Sequence, residues 1–249
     1  MSEWFEEESF WVDTFPFMFP RERMEATQGE VDGILSLTGL SGGRVLDLCC
    51  GPGRHSIEFA ERGFVVTGVD RTAFLLDKAK DGAEQRGLEI EWIRQDMRKF
   101  RRQDEFDLAL SLFTSFGFFD DRDEDLAVLG NIFQSLKPGG LFLIDVIGKE
   151  RLARILSSTT SQRLEDGSTL VQLHEIIDGW SRIRNEWILI RDGNAKSYRF
   201  HHTVYSGQEL KDRLEKTGFR DIRLYGDLDG SEYGSDAKRL VVLSRKPPQ

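Results

Sequence analysis

Between residues 44 and 147, short apolar runs alternate with segments whose apolar residues recur every three or four positions. The runs Arg44–Leu48, Phe64–Val69, Ile90–Arg94, Phe106–Leu112 and Leu141–Ile147 are short and nearly continuous, and predict buried strands. Between them Arg54–Arg62, a segment running from a Thr72 cap to Arg86, and Asp123–Leu136 predict helices. Gly63 and Gly87 stop the first two, and Lys137-Pro138-Gly139-Gly140 predicts a sharp turn after the third. Upstream, Met24, Val31, Ile34 and Leu35 give one apolar face to a helix over Arg21–Leu37, ended by Gly39 and Gly42-Gly43. Strand, helix, strand repeated in this way predicts an α/β fold, a parallel sheet with helices on both faces.

After Arg151 the pattern changes to β-rich runs, Thr169–Ile176, Arg182–Ile190 and Lys196–Tyr205, punctuated by Asp166-Gly167, Asp178-Gly179 and Asp192-Gly193. Asp-Gly suits the positive φ angles of tight hairpin turns, so these runs predict an antiparallel meander inserted into the α/β domain. Ser206 to Glu209 spells a capping box for a helix ending at Gly218, followed by strands at Phe219–Tyr225 and Lys238–Ser244. Residues 3–20 mix acids with aromatics and are too apolar for a disordered tail; Pro16 and Pro20 argue against regular structure there. Two readings stay open for them, an arm packed on the domain and a lid closing over a ligand. The expected organisation is an aromatic arm and helix over 1–40, an α/β core over 41–157, an antiparallel β insertion over 158–205, and a helix and strand pair over 206–249 that complete the core.

Composition narrows the partners. The 249 residues carry a formal charge of −9, and Arg98 to Arg102 is the one short basic cluster. Such an average field repels polyanions, so nucleic acid and anionic membrane surfaces are disfavoured. The two cysteines, Cys49 and Cys50, are adjacent, a spacing that rarely forms a disulfide and makes no metal framework. The acidic start, Met1 to Glu8, lacks the features of a secretory signal, and no apolar run approaches the roughly 20 residues that span a bilayer. A cytoplasmic location is expected.

The candidate chemistry sits at Val45-Leu46-Asp47-Leu48-Cys49-Cys50-Gly51-Pro52-Gly53-Arg54-His55, a buried strand entering a glycine turn and a helix. Gly51 and Gly53 lack a Cβ and so admit close approach of a ligand, at the sheet edge where α/β folds bind small molecules. Asp70 ends the next strand, where a carboxylate can accept from both hydroxyls of a ribose or cap the helix near Thr72. After the third strand, Asp96 can accept from an adenine amino group with Met97 against the ring, or be a solvated loop acid.

On these residues the chain resembles the class I S-adenosylmethionine-dependent methyltransferases, over about residues 40–150 and the final strand pair. Val45–Gly53 resembles the family's first motif, with Cys49 where the family often has a glycine; Asp70 matches the ribose acid and Asp96-Met97 the adenine pair. Leu112-Phe113 match the segment lining the transfer cleft, and Lys137–Gly140 is a further recurrent feature. The resemblance implies a Rossmann-like, mostly parallel sheet with a reversed C-terminal strand. It implies S-adenosyl-L-methionine as cofactor, S-adenosyl-L-homocysteine as product, and Cys49, Gly51, Gly53, Asp70, Arg71, Asp96, Met97, Leu112 and Phe113 as its contacts. A nicotinamide-dependent oxidoreductase shares much of this pattern, but would need a third glycine where Ser56 stands.

Methyl transfer from a sulfonium needs mainly positioning and exclusion of water, with a base only if the nucleophile arrives protonated. Ser111–Phe119 lacks the Asn/Asp-Pro-Pro-aromatic signature of enzymes that methylate base amines, and no acid follows the fourth strand until Asp120, so a metal-free reaction is expected. The meander is expected to cap the site, as in sugar-amine and glycine-type N-methyltransferases, over a small-molecule amine or hydroxyl. Phe113–Phe119 reads equally as pocket wall or ordinary core. Candidate bases are His174, His201, His202 and Tyr205, with alternation placing His201 and Tyr205 on one face and His202 on the other; each reads also as a packing residue. His55 is expected to order the glycine turn. Asp145 is expected either to orient an amine or to cap the next helix, and Arg21 or Arg23 to hold the cofactor carboxylate or lie solvated. An RNA or protein methyltransferase and a non-catalytic S-adenosylmethionine-binding protein are the alternatives. A homodimer paired through the edges of the insertion is an open expectation.

Overall fold

The structure is a computed structural model and describes residues 3–248. Met1, Ser2 and Gln249, the outer ends of the expected arm and of the last segment, lie outside the described residues. The five apolar runs form β1 (Arg44–Leu48), β2 (Val65–Asp70), β3 (Glu91–Arg94), β4 (Phe106–Ser111) and β5 (Leu136–Val146). With β10 (Arg220–Tyr225) and β11 (Leu240–Arg245) they make one seven-stranded sheet in the order β10-β11-β5-β4-β1-β2-β3. β1 pairs in parallel with both β2 and β4, while β11 runs antiparallel to β5 and β10. This is the Rossmann-like sheet with one reversed strand. Its order turns back between β1 and β4, so the strand ends there open a crevice at one edge.

Strand alternation feeds two apolar cores. Val45 packs with Val31 and Ile34 of α3 (Thr27–Thr38) and Phe59 of α4 (Arg54–Glu61). Leu46 and Leu48 join the opposite core, with Leu129 and Ile132 of α6 (Arg122–Ser135) and Leu210 and Leu214 of α8 (Gly207–Thr217). The remaining core helix, α5 (Ala73–Glu84), follows β2.

The insertion is a separate four-stranded antiparallel sheet in the order β6-β7-β8-β9. Its strands are β6 (Thr159–Arg163), β7 (Thr169–Ile177), β8 (Arg182–Arg191) and β9 (Asn194–Thr203). The Asp192-Gly193 turn is a two-residue hairpin, Arg191 opposite Asn194, with φ of 50° and 75° at its centre. β6, exposed throughout, and α7 (Lys149–Ile155), which leads into it, carry too little apolar periodicity to be read from sequence.

The structure corrects the sequence reading elsewhere. Residues 3–20 are helical: a 3-10 turn at Trp4–Glu6, then α1 (Glu8–Met18), which continues through Pro16. The missing Pro16 N–H orphans only the carbonyl of Val12, an exposed residue, so solvent can satisfy it. The helix expected over Arg21–Leu37 breaks at Ala26 into α2 (Arg21–Glu25) and α3. Lys137–Gly140 is not a turn but the bulged start of β5, held by Gly139 N–H donating to the Lys246 carbonyl. Among the described residues, no helix is long and apolar enough to cross a membrane.

Candidate active site

The crevice at the ends of β1, β2 and β4 is a cleft open to solvent. Cys49, Gly51, Asp70, Arg71, Asp96, Met97, Leu112 and Phe113 all line it. The turn after β1 is left-handed at three alternate positions, Cys49 (φ 62°), Gly51 (57°) and Gly53 (74°). Cys49 thus holds a conformation that suits glycine, at a cost of about 1 kcal/mol. Burial beside Asp70 and Asp47 pushes both cysteine thiols up, so neither is a thiolate nucleophile at neutral pH.

Gly53 departs from expectation. It is not on the cleft wall; a Cβ there would lie 2.6 Å from the Trp92 ring and 2.8 Å from Ala79 Cβ. Its bare Cα makes room for the Trp92 ring of β3 and for Ala79 of α5. Gly51 does face the cleft, and what comes near it is Phe19, 3.4 Å from where a Cβ would sit.

Asp70 is buried, and each of its oxygens takes one backbone N–H, Gly51 at 2.9 Å and Thr72 at 2.8 Å. Burial pushes this carboxyl and that of Asp47 upward, partly offset by hydrogen bonds: backbone N–H groups for Asp70, the Ser56 hydroxyl (2.6 Å) for Asp47. The Thr72 hydroxyl and the Arg71 N–H also act on it, yet with about four acceptor positions a carboxylate on the cleft wall keeps some capacity for a ligand hydroxyl. Asp96 does not. It accepts from the Arg98 N–H (2.9 Å), from Nε and Nη2 of Arg98, and from Arg71 Nη1 (3.0 Å). Burial raises its pKa, but the Arg98 hydrogen bonds prevail and hold it below the usual carboxylate range. The carboxylate expected to accept from an adenine amino group is therefore already filled.

The two arginines on Asp96 also grip the N-terminal segment: Arg98 pairs with Glu3 at 2.8 Å and Arg71 with Glu6. This places Phe5, Trp11, Met18 and Phe19 over the cleft. On the far side Trp4 stacks on Phe200 of β9, centroids 4.7 Å apart, and Tyr198 donates to Asp13. Core, arm and insertion are thereby joined.

Beneath the insertion a second cavity adjoins the first. The two share Trp11, Met18, Arg23, Phe113, Thr114 and Phe118. Its roof is one face of the insertion: Gln172 and His174 of β7, Ile183, Asn185 and Trp187 of β8, Phe200 and His202 of β9. His174 Nδ1 lies 2.8 Å from Asn185 Oδ1. With that amide oxygen accepting, Nδ1 carries the proton and Nε2 keeps a lone pair. Burial depresses the His202 pKa to about 4, so that ring is neutral.

Two of the expected bases lie elsewhere. His201 points away from the cavity to Asp120, 2.6 Å distant. Tyr205 falls beyond the end of β9, where alternation no longer applies, and its hydroxyl donates to buried Asp125. His55 bonds Glu30 of α3 at 2.8 Å, which ties the glycine-turn helix to its neighbour. Asp145 neither caps a helix nor faces a cavity. It accepts from the Phe113 N–H (3.1 Å) and from Arg239, while α7 starts at Lys149 behind Gly148, which offers no side-chain cap.

Around the exposed Phe113 ring three guanidinium groups gather, Arg54 at 4.4 Å, Arg23 at 4.6 Å and Arg239 at 5.2 Å from its centroid. Arg54 is held by Glu30 and Thr27, and its Nη2 is buried without a partner; Arg21, by contrast, is exposed and paired with Glu25. Phe113 and Thr114 themselves have φ of 60° and 62°, held by Asp145 and Arg239. The aromatic arm was visible in sequence as composition, but nothing marked Asn185, Trp187 or Arg239 as cavity residues.

Comparison with known proteins agrees with this architecture. Residues 45–140 match the family described as "Methyltransferase domain". The Bacillus subtilis (strain 168) protein named "Putative methyltransferase YqeM" is 30% identical over 210 residues, 82% of this chain and 84% of its own. An S-adenosylmethionine-dependent methyltransferase from Clostridium acetobutylicum ATCC 824 superposes with a TM-score of 0.79 over 98% of this chain and 99% of its own, at 16% identity. CalS10, an amino pentose methyltransferase from Micromonospora echinaspora solved with S-adenosylmethionine bound, gives 0.65 at 21% identity, over 89% of this chain and 90% of its own. With the glycine turn, the reversed strand and a relative matched along most of both chains, the protein belongs to the S-adenosylmethionine-dependent methyltransferases.

Proposed function

We propose that the first cleft holds S-adenosylmethionine and that the second cavity holds a small-molecule nucleophile, the methyl passing between them beside Phe113. The observation that carries this reading is the junction itself: two cavities with a common wall, one against the glycine turn and one under the insertion.

The residues present suit the cofactor. Asp70 presents a buried carboxylate on the cleft wall, the acceptor a ribose diol uses, and Met97 offers a soft apolar contact for the adenine. Asp96 supports that end of the cleft by anchoring Arg71 and Arg98. Buried Arg54, with Nη2 unpartnered, suits the amino-acid carboxylate. When bound, S-adenosylmethionine supplies the sulfonium methyl. The chain's part is to hold the nucleophile in line and keep water out. The aromatic arm and the insertion exclude water, and His174, with Asn185 fixing its tautomer, accepts a proton from a hydroxyl or ammonium nucleophile at Nε2.

Calorimetry with S-adenosylhomocysteine, followed by labelled-methyl transfer to a panel of small amines, alcohols and phenols, tests this. Binding followed by turnover on a small molecule is expected. The variant His174→Gln is expected to lower kcat by about 10²-fold without changing affinity for the product. Absence of S-adenosylhomocysteine binding, or salt-sensitive methylation of RNA instead of metabolites, refutes the reading.

A further inference from the structure

The protein carries a net charge of −9, yet among the described residues no Asp or Glu lines the second cavity. Its charged wall residues are Arg23 and Arg239, flanking the Phe113 ring at the junction with the first cleft. Arg239 is largely compensated, since Asp145 and Thr114 accept from it. Arg23 is not. Among the described residues it has no carboxylate within ion-pair distance; its side chain donates only to the Met18 carbonyl, its cationic neighbours are Arg54 and Arg239, and the one acid acting on it, Glu30, is already paired with Arg54 and His55. A partly buried guanidinium held among like charges is costly unless an anion comes to it.

The roof points the same way by independent means. The Asn185 side chain is almost wholly buried, and its Nδ2 finds no acceptor; Trp187 Nε1 is likewise buried and unpartnered. Both are donors on the cavity face of β8. Buried donors without acceptors are rare, and a ligand rich in oxygen satisfies them. The rest of the wall, Trp4, Phe10, Phe118 and Phe200 among it, is aromatic.

We propose that the substrate is a carboxylate with a sizeable apolar or aromatic body, its carboxylate bound by Arg23 and its other oxygens meeting Asn185 and Trp187. The proposal rests on the second cavity being the acceptor site, as argued above, and narrows its occupant. An ammonium-bearing acceptor with no anionic group would meet two arginines and no carboxylate.

The test is calorimetry on the full chain saturated with S-adenosylhomocysteine, using 4-phenylbutyrate, 4-phenylbutanamide and 4-phenylbutylamine, which differ only in the head group. The carboxylate is expected to bind about tenfold more tightly than the amide, with the amine weakest. Arg23→Gln should reduce the carboxylate-to-amide ratio below about threefold and Arg23→Lys should retain most of it, both leaving S-adenosylhomocysteine affinity within about threefold. Preference for the amine, equal binding of all three, or no binding of any up to about 10 mM, a free energy near −3 kcal/mol, overturns the proposal. Arg23→Gln weakening S-adenosylhomocysteine about tenfold or more, with the ratio unchanged, overturns it too, by assigning Arg23 to the cofactor. Failure of S-adenosylhomocysteine to bind the wild-type protein sinks the methyltransferase site itself, a result the wild-type titration separates from the others.

Discussion

Replacing Asp70 by alanine is the most direct perturbation of the cofactor cleft. Its carboxylate holds the Gly51 and Thr72 amides and, on the proposed reading, also accepts from the two hydroxyls of a ribose. A hydrogen bond to a charged acceptor contributes about 1.5–3 kcal/mol, so losing two costs about 3 kcal/mol after water replaces part of the interaction. That corresponds to a rise in Kd for S-adenosylhomocysteine of about 150-fold. The substitution also frees two backbone amides of the turn. The assay is therefore paired: calorimetric titration with S-adenosylhomocysteine, and urea unfolding to establish that the variant still folds cooperatively. Asp70→Asn is the informative companion, because its NH2 must face one of the two N–H donors; it should lose affinity to a similar degree despite its similar shape. A folded Asp70→Ala protein whose Kd stays within about threefold of wild type would refute the reasoning, since a hydrogen-bonded diol cannot be worth so little at a buried carboxylate.

Two further outcomes follow from the packing. Asp125 is fully buried with Oδ1 unpartnered, and burial raises its pKa to about 6 although the Tyr205 hydroxyl donates to it. Because the folded-state value lies above the unfolded one, this group favours folding at low pH, and the contribution fades as pH rises between about 4 and 6, by about 3 kcal/mol in all. Asp125→Asn should accordingly exceed wild type by about 2 kcal/mol in urea unfolding at pH 8 and show no advantage near pH 4; an equal shift at both refutes the cause. Gly53→Ala combines a left-handed backbone with contact on Trp92 and Ala79, and should cost about 3 kcal/mol of stability in the same assay while leaving S-adenosylhomocysteine affinity unaltered in the folded fraction. A loss below about 1 kcal/mol would show that the turn relaxes freely.

The core sheet was legible because its central strands β1, β4 and the body of β5 are buried, which leaves near-continuous apolar runs, and because Gly63 and Gly87 follow the ends of their helices; β3, at the sheet edge, is only half buried. β6 was not: all five of its residues are exposed, so no alternation records its pairing with β7. Pro16 misled because its cost depends on which carbonyl is orphaned, and the solvent side of α1 cannot be known before α1 is docked. At the site, Asp70 was legible from its place at a strand end. The saturation of Asp96 by Arg98 and Arg71 is a matter of side-chain direction, which spacing does not encode. Tyr205 failed as a base for a related reason, since alternation was carried two residues beyond the strand that justified it.

The second cavity takes its walls from the arm, from the loop after β4, from the insertion and from Arg239, and most of these lie outside residues 45–140. With the second cavity proposed as the acceptor site, the stretch that matches the methyltransferase domain and the stretches that would select a partner for the methyl group are largely different parts of the polypeptide. Such a division lets evolution, or an engineer, exchange the selecting stretches as interchangeable fittings on a constant chassis. Kinship measured over the chassis is correspondingly silent about which molecule receives the methyl group.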